Sequence, residues 1–93
     1  MPLERGEYLG TGTSRQVCRF TMYLQDREIH FAVSFEAMDD LAKKLGTERQ
    51  QRDAMFEELR STIEEMAERK FFSFNDETLP QGELLLRSKD FFP

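Results

Sequence analysis

Residues 17–24, "VCRFTMYL", alternate in character. Cys18, Phe20, Met22 and Leu24 fall on one face, with Arg19, Thr21 and Tyr23 on the other, as in a half-buried strand. "EIHFAVS" repeats the pattern, grouping Ile29, Phe31 and Val33 opposite Glu28, His30 and Ala32. The polar residues between the two runs predict a β-hairpin. Residues facing each other across a hairpin share a face, so only even–odd pairs keep both apolar sets together. A two-residue turn at Gln25 and Asp26 pairs Met22 with Ile29, Phe20 with Phe31 and Cys18 with Val33. A four-residue turn shifts every pair by two, and a three-residue loop needs a bulge to restore the phase. On this pattern Phe20→Asp unfolds the domain, whereas Thr21→Asp, on the polar face, is tolerated.

After Ser34, an N-cap residue, the spacing becomes helical. Met38, Leu41, Ala42 and Leu45 form one stripe, and Asp39 with Lys43 and Asp40 with Lys44 stand four apart in the favourable order. Gly46 is a natural stop. Thr47 with Gln50 reads as a capping box opening a second, longer helix to about Lys70. Its core positions are Met55, Phe56, Leu59, Ile63, Met66 and Ala67. Beyond it, "KFFSFNDETLPQGELLLRS" predicts a strand at Phe71 to Phe74, a turn-rich stretch from Asn75 to Gly82, and a last strand around Leu84 and Leu86. The first sixteen residues are polar and glycine-bearing, and predict at most a short strand at Glu7 to Gly10 within a partly flexible lead. The expected architecture is one α+β domain over 1–93, with lead 1–16 and core 17–92. An antiparallel sheet (the hairpin plus a C-terminal strand or hairpin) packs on two helices in the order β-β-α-α-(β)-β.

Charge and composition narrow the function. A chain of 93 residues is one small domain, and its nine Phe, with Leu, Ile, Val and Met, supply a core. The formal charge of -5 disfavours broad binding to phosphate backbones or anionic lipid. There is no apolar run near the roughly 20 residues that span a membrane. A single cysteine and no signal-like N-terminus make the cytoplasm the expected compartment.

Catalytic chemistry lacks its materials. "GTGTS" has glycines but no following lysine and helix, so it does not read as a phosphate loop. His30 is the only histidine, and by alternation it reads as a solvated strand residue near Thr21 or Tyr23. One cysteine and one histidine on opposite faces do not make a zinc site. Cys18 points to the core, where burial makes a thiol inert. The carboxylates fall mostly on exposed helix faces, which reads as solvation rather than acid–base catalysis. No catalytic, cofactor-binding or metal-binding residue is expected. Two surfaces remain: a candidate protein interface at Phe71, Phe74 and Phe92, and a candidate basic patch at Arg19, Arg69, Lys70, Arg87 and Lys89, with Arg15 near it. Aromatic side chains amid cations suit single-stranded nucleic acid, but between Thr47 and Lys70 acidic residues outnumber basic ones.

The stretches "FTMYLQDREIHFAVSFEAMDDL", "MFEELRSTIEEMAERKF" and "ELLLRSKDFF" together resemble the small bacterial family catalogued as domain of unknown function 1488, over roughly residues 17–92. The residues that carry the likeness are Phe20, Val33, Ser34, Ala37, Leu41, Phe56, Arg60, Ile63, Ala67, Arg69, Lys70, Leu84, Leu86, Ser88, Asp90 and Phe91. "FSFNDETLPQ" is longer than the family's usual link to the last strand. The resemblance implies a compact α+β fold and brings no assigned activity. A link to transcriptional regulation attaches to the wider family, without residues here to carry it. If the last strand returns to the sheet, Phe91 covers the open end of the core, and an exposed Phe92 becomes a dimer contact. The expected function is a non-enzymatic protein-binding or assembly module, possible as a homodimer through the Phe-rich C-terminal segment. The alternative is a transcription-associated regulator touching nucleic acid through the local basic patch.

Overall fold

Parity along the hairpin decides which way the sheet faces, and helix stripes decide what covers it. The computed structural model describes residues 3–12, 16–48, 51–73 and 83–92. The order is β1 (Glu4–Gly12), β2 (Val17–Leu24), β3 (Arg27–Ser34), α1 (Phe35–Leu45), α2 (Arg52–Ser73), β4 (Leu84–Leu86) and α3 (Ser88–Phe91). The fold is α+β, one sheet in the order β1-β2-β3-β4. Arg15, Gln50 of the expected capping box, Phe74 and the stretch 75–82 lie outside the described residues.

The hairpin has the two-residue turn. Met22 faces Ile29, Phe20 faces Phe31 and Cys18 faces Val33, and Gln25 takes the left-handed backbone (φ 57°) that such a turn asks of its first residue. The apolar face is continuous with the helices: Phe20 and Phe31 stack at 5.4 Å, Phe20 meets Phe56 at 5.2 Å, and all three are fully buried. Ser34 caps α1, its hydroxyl accepting the Ala37 N–H at 3.0 Å. Gly46 ends it in the left-handed region (φ 72°), a conformation glycine adopts without steric cost. Met38, Leu41 and Ala42 are buried, but Leu45 is exposed. The acids of α1 use tertiary partners: Asp39 holds Arg52, and Asp40 takes the Ser88 hydroxyl.

Four expectations need correction. β1 is nine residues long, not a short strand at Glu7 to Gly10. Exposed Arg5 and half-buried Tyr8 meet α2 through an ion pair and a ring stack, so no apolar alternation announces it. Residues 71–73 of the expected strand at Phe71 to Phe74 are helical instead: α2 continues to Ser73, and Phe71 extends the buried stripe of Ile63 and Ala67 by one further turn. The sheet is mixed rather than antiparallel, because β4 runs parallel to β3, pairing Leu84 with Phe31 and Leu86 with Val33. Parity fixes faces but not direction. Finally, Thr21 is not on a solvated face. It is 1% exposed, buried where β1 bulges against β2.

Candidate functional site

The C-terminal segment is tied down by side chains from both long helices. Leu84 and Leu86 enter the core while Leu85, of opposite parity, is half-buried on the other face. The chain then leaves β4 through Arg87 in extended backbone (φ -112°) and turns into α3. Asp90 fixes that turn, its carboxylate accepting the Arg87 N–H at 2.8 Å and the Lys70 ammonium at 2.9 Å. Lys70 also donates to the Leu85 carbonyl at 2.6 Å, so one cation ties α2 to both β4 and α3. Burial, the largest influence on the Asp90 carboxyl, works to raise its pKa. The Arg87 amide and Lys70 outweigh it and hold the group below the usual carboxylate range. Phe91 and Phe92 both pack partly against the core, with Lys44 Nζ 5.0 Å above the Phe92 ring.

This arrangement frames a cleft of about 540 Å³. Val17 and Leu85 give it apolar walls, Ser34 and Ser88 place hydroxyls, Glu36 stands on one side, and Arg87 and Lys89 come from the pinned turn. Arg87 and Lys89 are exposed, and neither makes an ion pair among the described residues.

The other expected site residues scatter. Arg19 lies on the open sheet face, its Nε 3.2 Å from Glu83 Oε2 but not aligned for a hydrogen bond. Arg69 pairs with Glu65 at 3.1 Å on the exposed side of α2, and Lys70 is committed to Asp90. Three of the five members of the candidate basic patch are therefore next to carboxylates, and Arg87 and Lys89 are the two that line the cleft. The candidate aromatic interface divides too. Phe71 is 6% exposed and belongs to the core, Phe92 is half-buried, and the neighbouring Phe72 is the exposed ring at 48%.

Two polar clusters escaped the sequence reading. Glu64, 8% exposed, lies between Arg5 (Nη2 to Oε1, 2.8 Å) and Arg60 (Nε to Oε2, 3.1 Å). Arg60 also donates to the Gly6 carbonyl and pairs with Glu57. The hydrogen bond and charge of Glu64 raise the Arg5 pKa further. The spacing of Glu57, Arg60 and Glu64 carried part of that signal. Arg5 carried none, because its partner lies far along the chain. In the second cluster the Tyr8 ring stacks on Phe56 at 4.5 Å. Its hydroxyl donates to Asp53 Oδ1 at 2.5 Å and lies 3.5 Å from Cys18 Sγ. Burial first, then Asp53, pushes the Tyr8 pKa upward, and burial likewise raises the Cys18 thiol. Beside them Arg52 grips Asp39 at 2.6 Å and lies 4.3 Å over the Phe35 ring. The first cluster ties β1 to the middle of α2, and the second lies where β1 meets the starts of both helices. A buried, protonated thiol beside a protonated phenol is poorly suited to nucleophilic attack. His30 Nε2 rests 2.9 Å from Glu28 Oε1 on an exposed part of the sheet. Among the described residues, no group of three or more His, Cys, Asp or Glu side chains is placed to hold a metal ion. Nor is any helix there long and apolar enough to cross a membrane.

The family model described as "Protein of unknown function (DUF1488)" matches residues 11–86, from the end of β1 through β4. The chain belongs to that family. No curated protein and no solved structure matches it.

Proposed function

We propose that this member of the DUF1488 family is a non-enzymatic module of the cytoplasm that binds a protein partner or assembles with its own copies. The observation that carries the reading is the cleft beside α3. It joins apolar walls at Val17 and Leu85 to two cations, Arg87 and Lys89, on a rim that Asp90, Lys70 and Ser88 already hold in place. A rim ordered before binding loses little further entropy when a partner arrives. Self-assembly draws support from a different point, the exposed Phe72 ring packed edge-on against buried Phe71 at 5.1 Å.

Light scattering from low to high micromolar concentration, on the wild type and on Phe72→Ser, reads self-assembly. A benzophenone side chain at Glu36, inside the cleft, and another at Arg27, at the hairpin turn, read partner capture in extracts of the cells that make the protein. The expected result is a concentration-dependent dimer lost in Phe72→Ser, or a crosslinked partner specific to position 36. A monomer at every concentration, with no adduct specific to the cleft, overturns the reading.

Contact with nucleic acid by a transcription-associated regulator is the second reading, favoured by Arg87 and Lys89 sharing one rim. It is weakened by the carboxylate partners of Arg69 and Lys70. Filter binding to mixed DNA and RNA at two salt concentrations tests it, and the absence of salt-sensitive retention sinks it.

A further inference from the structure

We propose that the cleft beside α3 receives a short, acidic, linear segment of a partner protein, its carboxylates on Arg87 and Lys89 and an apolar side chain against Val17 and Leu85. The inference rests on the reading of this chain as a binding module and names the chemistry of its partner.

Charge complementarity carries the argument. Arg5, Arg52, Arg60, Arg69 and Lys70 all have a carboxylate within 3.1 Å. Arg27, Lys43 and Lys44 also lack an ion pair among the described residues, but none of them lines this cleft. Arg87 and Lys89 stand together on one rim with no such partner among the described residues, next to apolar walls. The rim is rigid for reasons unrelated to any ligand. Asp90 holds the turn through two hydrogen bonds, and the Ser88 hydroxyl is bonded to Asp40 on α1. The pinned turn fixes where the two side chains leave the backbone, and two neighbouring cations attract carboxylates by charge.

Size and sign discriminate between occupants. About 540 Å³ lies within the range of roughly 300 to 1,000 Å³ typical of sites that enclose a small ligand, which suits a few side chains of an extended segment. A nucleic-acid strand needs a track of cations to neutralise successive phosphates. Past Arg87 and Lys89 it meets Glu36 on the cleft wall and cations already neutralised by Glu65 and Asp90. A short segment places its acids on one side only and leaves Glu36 facing its apolar or basic positions.

The test uses the full chain and fluorescein-labelled short peptides in which Asp or Glu alternates with Leu, Val or Phe. Matched peptides carrying Lys or Arg in place of the acids, and a labelled single-stranded oligonucleotide, serve as competitors in kind. Fluorescence anisotropy is expected to show binding of the acidic peptides, weaker by on the order of tenfold in the double variant Arg87→Glu, Lys89→Glu, and weaker in Leu85→Ser. Lys89 helps hold the Asp90 carboxyl low, so the uncharged pair Arg87→Gln, Lys89→Gln, which adds no carboxylate beside Asp90, accompanies the reversed variant. It is expected to melt near the wild type and to lose affinity for the acidic peptides as well. Acidic peptides that bind no better than basic ones, or that bind the reversed variant equally, overturn the inference. So does an oligonucleotide that binds more tightly and loses affinity in the reversed variant. A cleft-specific crosslink to a partner without an acidic segment overturns it too, while leaving the binding-module reading intact.

Discussion

The Thr21 hydroxyl oxygen accepts the backbone N–H of Glu7 at 3.0 Å, inside the bulge that separates the Arg5–Met22 pair from the Tyr8–Phe20 pair. A bulge leaves one residue's amide without a ladder partner, and here a side chain from the facing strand supplies it. Thr21→Val is expected to leave that amide unpaired, at a cost of about 1–3 kcal/mol. Thr21→Ser keeps the oxygen and is expected to fall near the wild type. Thr21→Asp places a charge at a site only 1% exposed and is expected to destabilise more than the valine variant. Phe20→Asp, which puts a charge between Phe31 and Phe56, is expected to abolish folding. Thermal melting ranks the series, and a Thr21→Asp melt equal to wild type contradicts the role of the bulge.

The junction of Lys70 and Asp90 makes stability depend on acid. Because the folded state holds the Asp90 carboxyl below its ordinary pKa, its contribution is fully present above the unfolded value of about 3.9. It is lost as pH falls from there through the lowered folded value. Asp90→Asn is expected to be less stable than wild type at neutral pH, and the gap is expected to narrow on acidification through that window. Denaturant titrations at several pH values measure it. A gap that stays constant down to strongly acid pH contradicts the coupling.

Tyr8 gives the opposite limb. Burial and the bond to Asp53 raise its pKa in the folded chain, so the folded state keeps the proton longer than the unfolded one. Its contribution is complete below the unfolded value of about 10 and declines as pH rises beyond it. Wild-type protein is expected to lose stability above about pH 10 more steeply than Tyr8→Phe. Tyr23, an exposed phenol bonded to Glu28 at 3.1 Å, also titrates upward, so Tyr23→Phe serves as the comparison. If Tyr8→Phe shows the same alkaline loss as wild type, the phenol is not the group responsible.

What the amino-acid pattern revealed, and what it hid, follows one physical line. Apolar side chains at regular spacing must face a core, so the register from Cys18–Val33 to Met22–Ile29, the Ser34 and Gly46 boundaries of α1 and most of the α2 stripe were legible. β1 was not, because it docks through Arg5 on Glu64 and Tyr8 on Asp53, partners 59 and 45 residues away. Local spacing carries no trace of such contacts. The direction of β4 was hidden for another reason: Leu84 and Leu86 face the core in either orientation. Phe71 read equally well as the first residue of a strand or the next turn of a helix, and the four-residue step from Ala67 decided it. The candidate cleft depended on all three of these points. Its walls come from buried Val17 and half-buried Leu85, and its cations from a turn fixed by Lys70 at the end of α2. Arg87 and Lys89 were legible as cations, but the carboxylate partners that Arg19 and Lys70 find in Glu83 and Asp90 were not.

Gly6 sits where β1 has no room to spare. A methyl group there would fall 2.7 Å from the Thr21 carbonyl carbon and closer still to its oxygen, with the Thr21 hydroxyl at 2.5 Å. A side-chain oxygen can rotate, but a backbone carbonyl in the central strand cannot. Moving β1 outward is also opposed, because the Gly6 carbonyl accepts Arg60 at 3.1 Å, and Arg60 shares Glu64 with Arg5. Gly6→Ala is therefore expected to cost at least the roughly 1–3 kcal/mol of an overpacked site, and Thr21→Ser in the same chain is expected not to rescue it. Gly12 offers the contrast: an added methyl there meets Val17 Cγ2 at 3.5 Å, an ordinary contact. Gly12→Ala is expected to be neutral or to stabilise by up to about 1 kcal/mol through the lower entropy of the unfolded chain. Melting temperatures of the two single variants and of the Gly6→Ala, Thr21→Ser pair decide it. Equal effects at Gly6 and Gly12 would mean that β1 does not press on Thr21.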